Sequence, residues 1–290
     1  MPAKNCSFNC VYCQAGRTLR LTVERRRFFP LEMILGDVEA RLREAEEKGV
    51  KVDYISIVPE GEPTLDAALG ELIRALKGYG RPVAVFTNGS LLWRSDVRGD
   101  LSEADLVNLK VDAAREETWR RVDRPHPSLG FRRHVEGLRV FAESYSGVLY
   151  TETMLVGGVE YGEEIGEIAG LVAALRPAKA FIAAPVRPPA EPVPPPREAD
   201  VLALYGMLEE RLGGRVELLI GLPPVDLEAL EDPERDLLAA AGVHPLRLRE
   251  AERLLREAGA DPGIIARLVE KGLLRVEEYG GERFLVRRLV

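Results

Sequence analysis

Short apolar runs alternating with amphipathic stretches constrain this chain more than any other feature. The runs are YISIVP (54–59), VAVFTNG (83–89), LVNLKVDA (106–113), VLYTETMLV (148–156) and AKAFIAAPV (178–186). They are short and rich in β-branched residues, and they read as buried strands. Between them, residues 31–48, 67–77, 131–145 and 162–175 carry helical spacing. Strand–helix units in series imply parallel strands joined by right-handed crossovers. The expected fold is therefore α/β, a partial (β/α)6 barrel of the TIM type. Chemistry in such barrels sits where strands end and loops begin. The polar residues fall at that edge here: EGEPT after the first run, TNGS after the second and KVD at the third.

At 290 residues the chain has room for such a barrel and a second unit. PVRPPAEPVPPPREAD reads as an extended, semi-rigid connector. A helix over 198–212 and a strand over 215–221 are predicted after it. PLRLREAERLLREAG and PGIIARLVEKG then read as two helices, followed by a hairpin turning at Gly280–Gly281. That order is winged-helix-like. The expected division is a barrel over 1–190, a connector with a helix and strand over 191–226, and a winged-helix-like module over 227–290.

Hydrophobic residues make up 46% and charged residues 30%, and the formal net charge is −7. That balance argues against a broad nucleic-acid-coating surface, leaving Arg25–Arg27, Arg132–Arg133 and Arg287–Arg288 as local candidates for a polyanion. No apolar stretch is long enough to span a bilayer and the N-terminus has no signal-peptide pattern, so no membrane partner and a cytoplasmic location are expected.

NCSFNCVYCQAGRT, residues 5–18, holds every cysteine: Cys6, Cys10 and Cys13. Three clustered cysteines do not make a disulfide framework, so reduced thiols are expected. Soft thiolates at Cys-x3-Cys-x2-Cys spacing suit zinc or an iron–sulfur cluster. A structural zinc site wants four ligands, and His126, His134 and His244 are all remote in sequence. Zinc would need one of them to fold in. A cubane held by three cysteines would leave one iron without a protein ligand.

CSFNCVYC resembles the cluster-binding motif of the radical S-adenosylmethionine superfamily, down to Tyr12 before the last cysteine. The resemblance implies a [4Fe–4S] cluster on Cys6, Cys10 and Cys13, whose open iron is chelated by S-adenosylmethionine. It implies reductive cleavage of that cosubstrate to a 5′-deoxyadenosyl radical, which takes hydrogen from a substrate. Glu60-Gly61-Glu62-Pro63 resembles the family's Gly-Gly-Glu-Pro signature with Glu60 for the first glycine, which implies that Gly61, Glu62 and Pro63 hold the methionyl ammonium. By the same resemblance Thr87, Asn88 and Gly89 line the cosubstrate pocket. Lys110 meets the methionyl carboxylate and Asp112 the ribose; two apart on one strand, they share a face. Glu152 is a further candidate for the ribose hydroxyls, and Ala183 to Val186, with Pro185 among them, for cradling adenine.

CSFNCVYCQAGRT, TNGSLL, LKVDA, RPH and TETMLVGG, across residues 5–190, resemble a group of iron–sulfur oxidoreductases loosely related to the tRNA wyosine-forming enzymes. The implied partners are S-adenosylmethionine, an electron donor such as ferredoxin or flavodoxin, and an RNA or peptide substrate. Arg124 and His126, in VDRPHPSLGF, are candidates for facing that substrate. Relatives carry a strand before the cysteine loop, whereas only Met1 to Asn5 precede Cys6 here. The barrel is therefore expected to lack its first strand and to open at 54–59. The competing reading is a non-enzymatic regulator holding iron–sulfur or zinc, with the winged helix binding nucleic acid or protein. Arg267 and Lys271 against Glu270 leave the second helix of that module without a strong DNA footprint, so packing or RNA or peptide presentation is favoured for it.

Overall fold

The structure, a computed structural model, describes residues 4–220, 232–243 and 245–287. His244 and Arg288 lie outside the described residues. The chain begins with two short strands, β1 (Asn5–Cys6) and β2 (Arg20–Leu21), paired in parallel with Asn5 opposite Arg20. A helix, α1 (Leu31–Glu47), leads into the main sheet. Its strands are β3 (Ile55–Ile57), β4 (Val83–Thr87), β5 (Leu106–Lys110), β6 (Val148–Met154), β7 (Lys179–Ala183) and β8 (Val216–Leu219). All pair in parallel and in chain order.

The runs became strands because their side chains are buried: Val83, Val85, Val107 and Leu109 are fully enclosed. The crossovers are α2 (Leu69–Lys77), α3 (Ser95–Leu101), α4 (Glu116–Val122), α5 (Phe131–Ser144), α6 (Glu164–Ala174) and α7 (Glu198–Leu212). In α2, Leu69, Leu72, Ile73 and Leu76 recur at three- and four-residue spacing and make its buried face.

The sheet opens at β3, as expected. Among the described residues no strand pairs with its outer side, and β1 pairs with β2 instead. Tyr54 and Val58 flank this edge and are 45% and 59% exposed. The α1 helix covers the neighbourhood loosely: none of its residues is fully buried, and Leu31, Ile34, Leu35 and Val38 pack on the core as half-buried side chains.

The C-terminal module contains α8 (Pro233–Val243), β9 (Leu246–Arg247), α9 (Leu248–Glu257), α10 (Gly263–Glu270), β10 (Leu274–Tyr279) and β11 (Glu282–Arg287). Its sheet is antiparallel in the order β10–β11–β9. The hairpin turns on Gly280 and Gly281, whose φ of 59° and 77° suit residues without a Cβ. Leu237, Leu246, Leu255, Leu268, Leu274 and Leu285 form a core of its own. In the segment read as a connector, Val201, Leu204, Leu208, Leu212 and Val216 belong to the barrel's core instead. There α7 and β8 complete the barrel wall. The two units touch where the Tyr279 hydroxyl donates to the carbonyls of Pro185 and Val193, at 3.2 and 3.4 Å. No helix of the described residues is long and apolar enough to cross a membrane.

Candidate active site

The cysteine loop is held by backbone bonds at the strand ends. The amide of Glu62 donates to Asn5 O at 3.1 Å, and that of Thr22 to Cys6 O at 2.9 Å. A Cβ on Gly61 would stand 1.7 Å from Asn5 O, so only glycine lets the two chains lie this close. On the far side, Asn9 N donates to Asp123 O at 3.0 Å, Val11 N to Val122 O at 3.0 Å, and His126 N to Ser7 O at 2.8 Å. The segment after α4 thus clamps the loop through its main chain.

Each sulfur has polar company. Cys6 Sγ faces the amide of Phe8 at 3.4 Å and the side-chain amide of Asn88 at 3.7 Å. Cys13 Sγ accepts from Lys4 Nζ at 2.8 Å. Cys10 Sγ donates to Asp123 at 3.5 Å. None of the three forms a disulfide. Burial, with Glu62 close by, pushes the Cys6 thiol up to about 12. Burial, then Asp123, raises Cys10 as well.

Among the described residues, no three His, Cys, Asp or Glu gather tightly enough to hold a single metal ion. His126 is half-buried and bonded to Ser128 Oγ at 2.8 Å, and His134 is enclosed against Trp119. Neither folds toward the sulfurs, so the zinc reading has no fourth ligand among the described residues. A four-iron cluster, which spans a wider triangle of sulfurs, fits the donor set: three thiols on one loop, two N–H groups on Cys6 and a buried ammonium beside Cys13. Cationic iron would also reverse the burial penalty on these thiolates.

Tyr12 ties this loop to the sheet. Its hydroxyl donates to Asp112 and lies 3.3 Å from Asp123. The other Asp112 oxygen accepts from Met154 N at 2.7 Å. Lys110 Nζ sits 3.0 Å from Glu152, 3.5 Å from Asp112 and 4.9 Å from the Tyr12 ring centroid. Burial alone would pull the Lys110 ammonium down, but Asp112 and Glu152 outweigh it and hold it above its ordinary value. Burial opposes ionisation of Glu152, yet Lys110 prevails and holds that carboxyl below its usual range. Burial, and then Asp112, drives Asp123 well above the carboxylate range. The result is a carboxyl whose ionisation is opposed and an ion pair beneath the cysteine loop.

The remaining motif residues divide. The Glu62 carboxylate accepts from Thr64 N at 3.0 Å, Thr64 Oγ1 at 2.6 Å, Asn88 N at 2.8 Å and the Thr87 hydroxyl. Three of these bonds fall on Oε1 and one on Oε2, so the side chain latches the Pro63 turn to the end of β4. Gly89, at φ 66°, continues that turn. The carbonyl of Pro185 accepts from Tyr279. Arg124 pairs with Glu191, whose own amide is bonded to Val11 O at 3.0 Å, so Arg124 braces the cysteine loop. Arg25, read as part of a basic run, is folded in against Asp96 and Asp100 instead.

Lys4 and Asp123 were not identified from sequence. Lys4 had a usable signal, since residues two apart on an extended strand share a face with Cys6. Asp123 had none. A cavity of about 460 Å³ flanks the loop, lined by Gln14, Arg17 and Glu60 on one side and by Arg275 and Glu277 of the C-terminal module on the other.

A parallel α/β sheet with a three-cysteine loop over its strand ends defines a class, and residues 1–172 match the family model for the radical SAM superfamily. The chain belongs to that superfamily, whose members bind a [4Fe–4S] cluster and S-adenosylmethionine. It is 37% identical to a UPF0026 protein of Methanocaldococcus jannaschii over 292 residues, covering 100% of this chain and 90% of the relative. Its fold is similar to that of Streptococcus suis SuiB bound to S-adenosylmethionine, at a TM-score of 0.55 and 17% identity over 78% of this chain. It spans 52% of SuiB, about half that protein's length. It is also similar to TYW1 with a lysine-pyruvate adduct bound, at a TM-score of 0.54 and 18% identity over 72% of each chain. These similarities place the sheet as a partial TIM-like barrel.

Proposed function

We propose that this chain is a radical S-adenosylmethionine enzyme whose cluster is held by Cys6, Cys10 and Cys13, with the cosubstrate seated between that loop and the ends of β4 to β7. The carrying observation is the chain of contacts from Cys10 through Asp123, Tyr12 and Asp112 to Lys110 and Glu152. It connects one thiol of the cysteine loop to the lysine–carboxylate group at the ends of β5 and β6. When bound, the reduced cluster supplies the electron that opens the sulfonium and releases a 5′-deoxyadenosyl radical for hydrogen abstraction.

The chain's own residues supply position and exclusion of water. Lys110 offers a fixed cation to a carboxylate, and Glu152 offers acceptor oxygens to hydroxyls. Tyr12 holds the cysteine loop against Asp112. Glu62 shapes the loop through its bonds to Thr64, Thr87 and Asn88, and its Oε2, which accepts one bond, is the acceptor it offers the methionyl ammonium beside backbone carbonyls. Thr87, Asn88, Gly89 and Pro185 line the rim in this reading. The C-terminal module is winged-helix-like by its order of helix, strand, two helices and hairpin, and it walls the cavity beside Gln14 and Arg17. A low-potential donor such as ferredoxin or flavodoxin would supply the electron.

The test is anaerobic loading with iron and sulfide, then reduction with S-adenosylmethionine present. Wild-type protein releases 5′-deoxyadenosine and methionine. Cys13→Ala loses both iron and product. Lys110→Met keeps iron but yields at least tenfold less product. A fully iron-loaded wild type that releases no 5′-deoxyadenosine refutes the proposal.

A further inference from the structure

Lys4 carries no role in the proposed function. It precedes Cys6 by two residues, and its side chain turns inward until the residue is only 2% exposed. Nζ donates to Cys13 Sγ at 2.8 Å and to the carbonyl of Gly16. Its backbone is fixed, because Lys4 O accepts from both Leu19 N and Arg20 N at 3.1 Å. Among the described residues no carboxylate pairs with this ammonium. Lys110, by contrast, sits between two carboxylates.

A buried cation with no anion is strongly unfavourable. Here the available counter-charge is sulfur. A neutral Cys13 thiol would leave the ammonium uncompensated; a thiolate bound to iron would not. Hydrogen bonds to cluster sulfurs and local net charge are the levers by which a protein sets a cluster's potential. Each electron added to the cluster makes the loop more negative, so a fixed cation beside it favours the reduced form. This argument rests on the cluster reading above.

We propose that Lys4 is the built-in counter-cation of the cysteine loop, a positioning residue that raises the reduction potential of the cluster through its N–H···S bond to Cys13.

The test compares wild type, Lys4→Met and Lys4→Arg, each loaded anaerobically and assayed for iron per chain. The reduced cluster is then followed by electron paramagnetic resonance in a dithionite titration with mediators. Lys4→Met is expected to hold less than a tenth as much reduced cluster relative to oxidised at a given potential, a midpoint lower by about 59 mV or more for one electron. Lys4→Arg is expected to stay within threefold of wild type. Should Lys4→Met fail to hold iron while Lys4→Arg holds it, the need for charge is shown by loading itself. A loaded Lys4→Met with the wild-type midpoint overturns the inference. So does a Lys4→Arg shifted as far as Lys4→Met, or loss of iron from both variants, which marks a structural role. Wild type that takes up no iron refutes the cluster reading, and iron content alone tells that failure from the others.

Discussion

His134 shows what burial does to one side chain. Its ring stacks on Trp119 at 5.3 Å and 14°, and meets Phe8 of the cysteine loop edge-on at 5.8 Å. Burial pulls its ionisation from 6.5 down to about 4. Between those values the unfolded chain binds the proton and the folded chain does not, so stability rises with pH there. The contribution is fully present above pH 6.5, declines as pH falls through the window and is gone below about 4. At 1.36 kcal/mol per pH unit it reaches about 3 kcal/mol. His134→Phe keeps the stack and removes the titration. Urea unfolding from pH 4 to 7 should therefore show a flatter profile for the variant, and parallel profiles would contradict the assignment.

At the level of elements, β4 to β7 were legible because burial demands apolar, β-branched runs, and the less enclosed edge strands β3 and β8 because they continue the same alternation with helices. α3 and α4 were not, since seven residues make only two turns and show little period. The cysteines, Thr87–Gly89, Lys110 and Asp112 could be singled out as candidates because each lies in a short local motif. Asp123 could not. It follows α4 and joins the site only because residues 122–126 run back along the cysteine loop, a tertiary fact with no local trace. Arg25 misled for the same reason: three arginines in a row look like a solvated face, yet the first is turned inward. Its side chain is 9% exposed and bonds to Thr64 O at 2.9 Å, Asp66 O at 2.8 Å and Asp96 at 2.7 Å, joining the segment before α1 to α3. Asp96 and Asp100 are part-exposed, which screens the charge pairing, so the loss comes mainly from the carbonyls of Thr64 and Asp66 left without their donor, about 1–3 kcal/mol. Arg25→Ala should lose that much in urea unfolding, whereas exposed Arg27→Ala should lose under about 1 kcal/mol. Equal losses would contradict the account.

The molecule as a whole has two cores, one running from Cys6 to Val216 and one within the C-terminal module. Separate cores imply separate cooperative units, so calorimetry should resolve two transitions. Leu268, fully buried in the smaller core, distinguishes them. Leu268→Ala should destabilise the module by about 2–5 kcal/mol and leave the barrel's transition in place. One transition that moves as a unit would mean that the contacts at Tyr279 couple the two.

The central claim is that three cysteines hold a cluster with one corner left for the cosubstrate. The direct measurement is the electron paramagnetic resonance spectrum of the reduced, iron-loaded protein before and after S-adenosylmethionine is added. The account predicts a [4Fe–4S] signal whose g-values change on addition in wild type, and that disappears in Cys6→Ala. A signal indifferent to S-adenosylmethionine, or a protein that takes up one zinc and no iron, would contradict it.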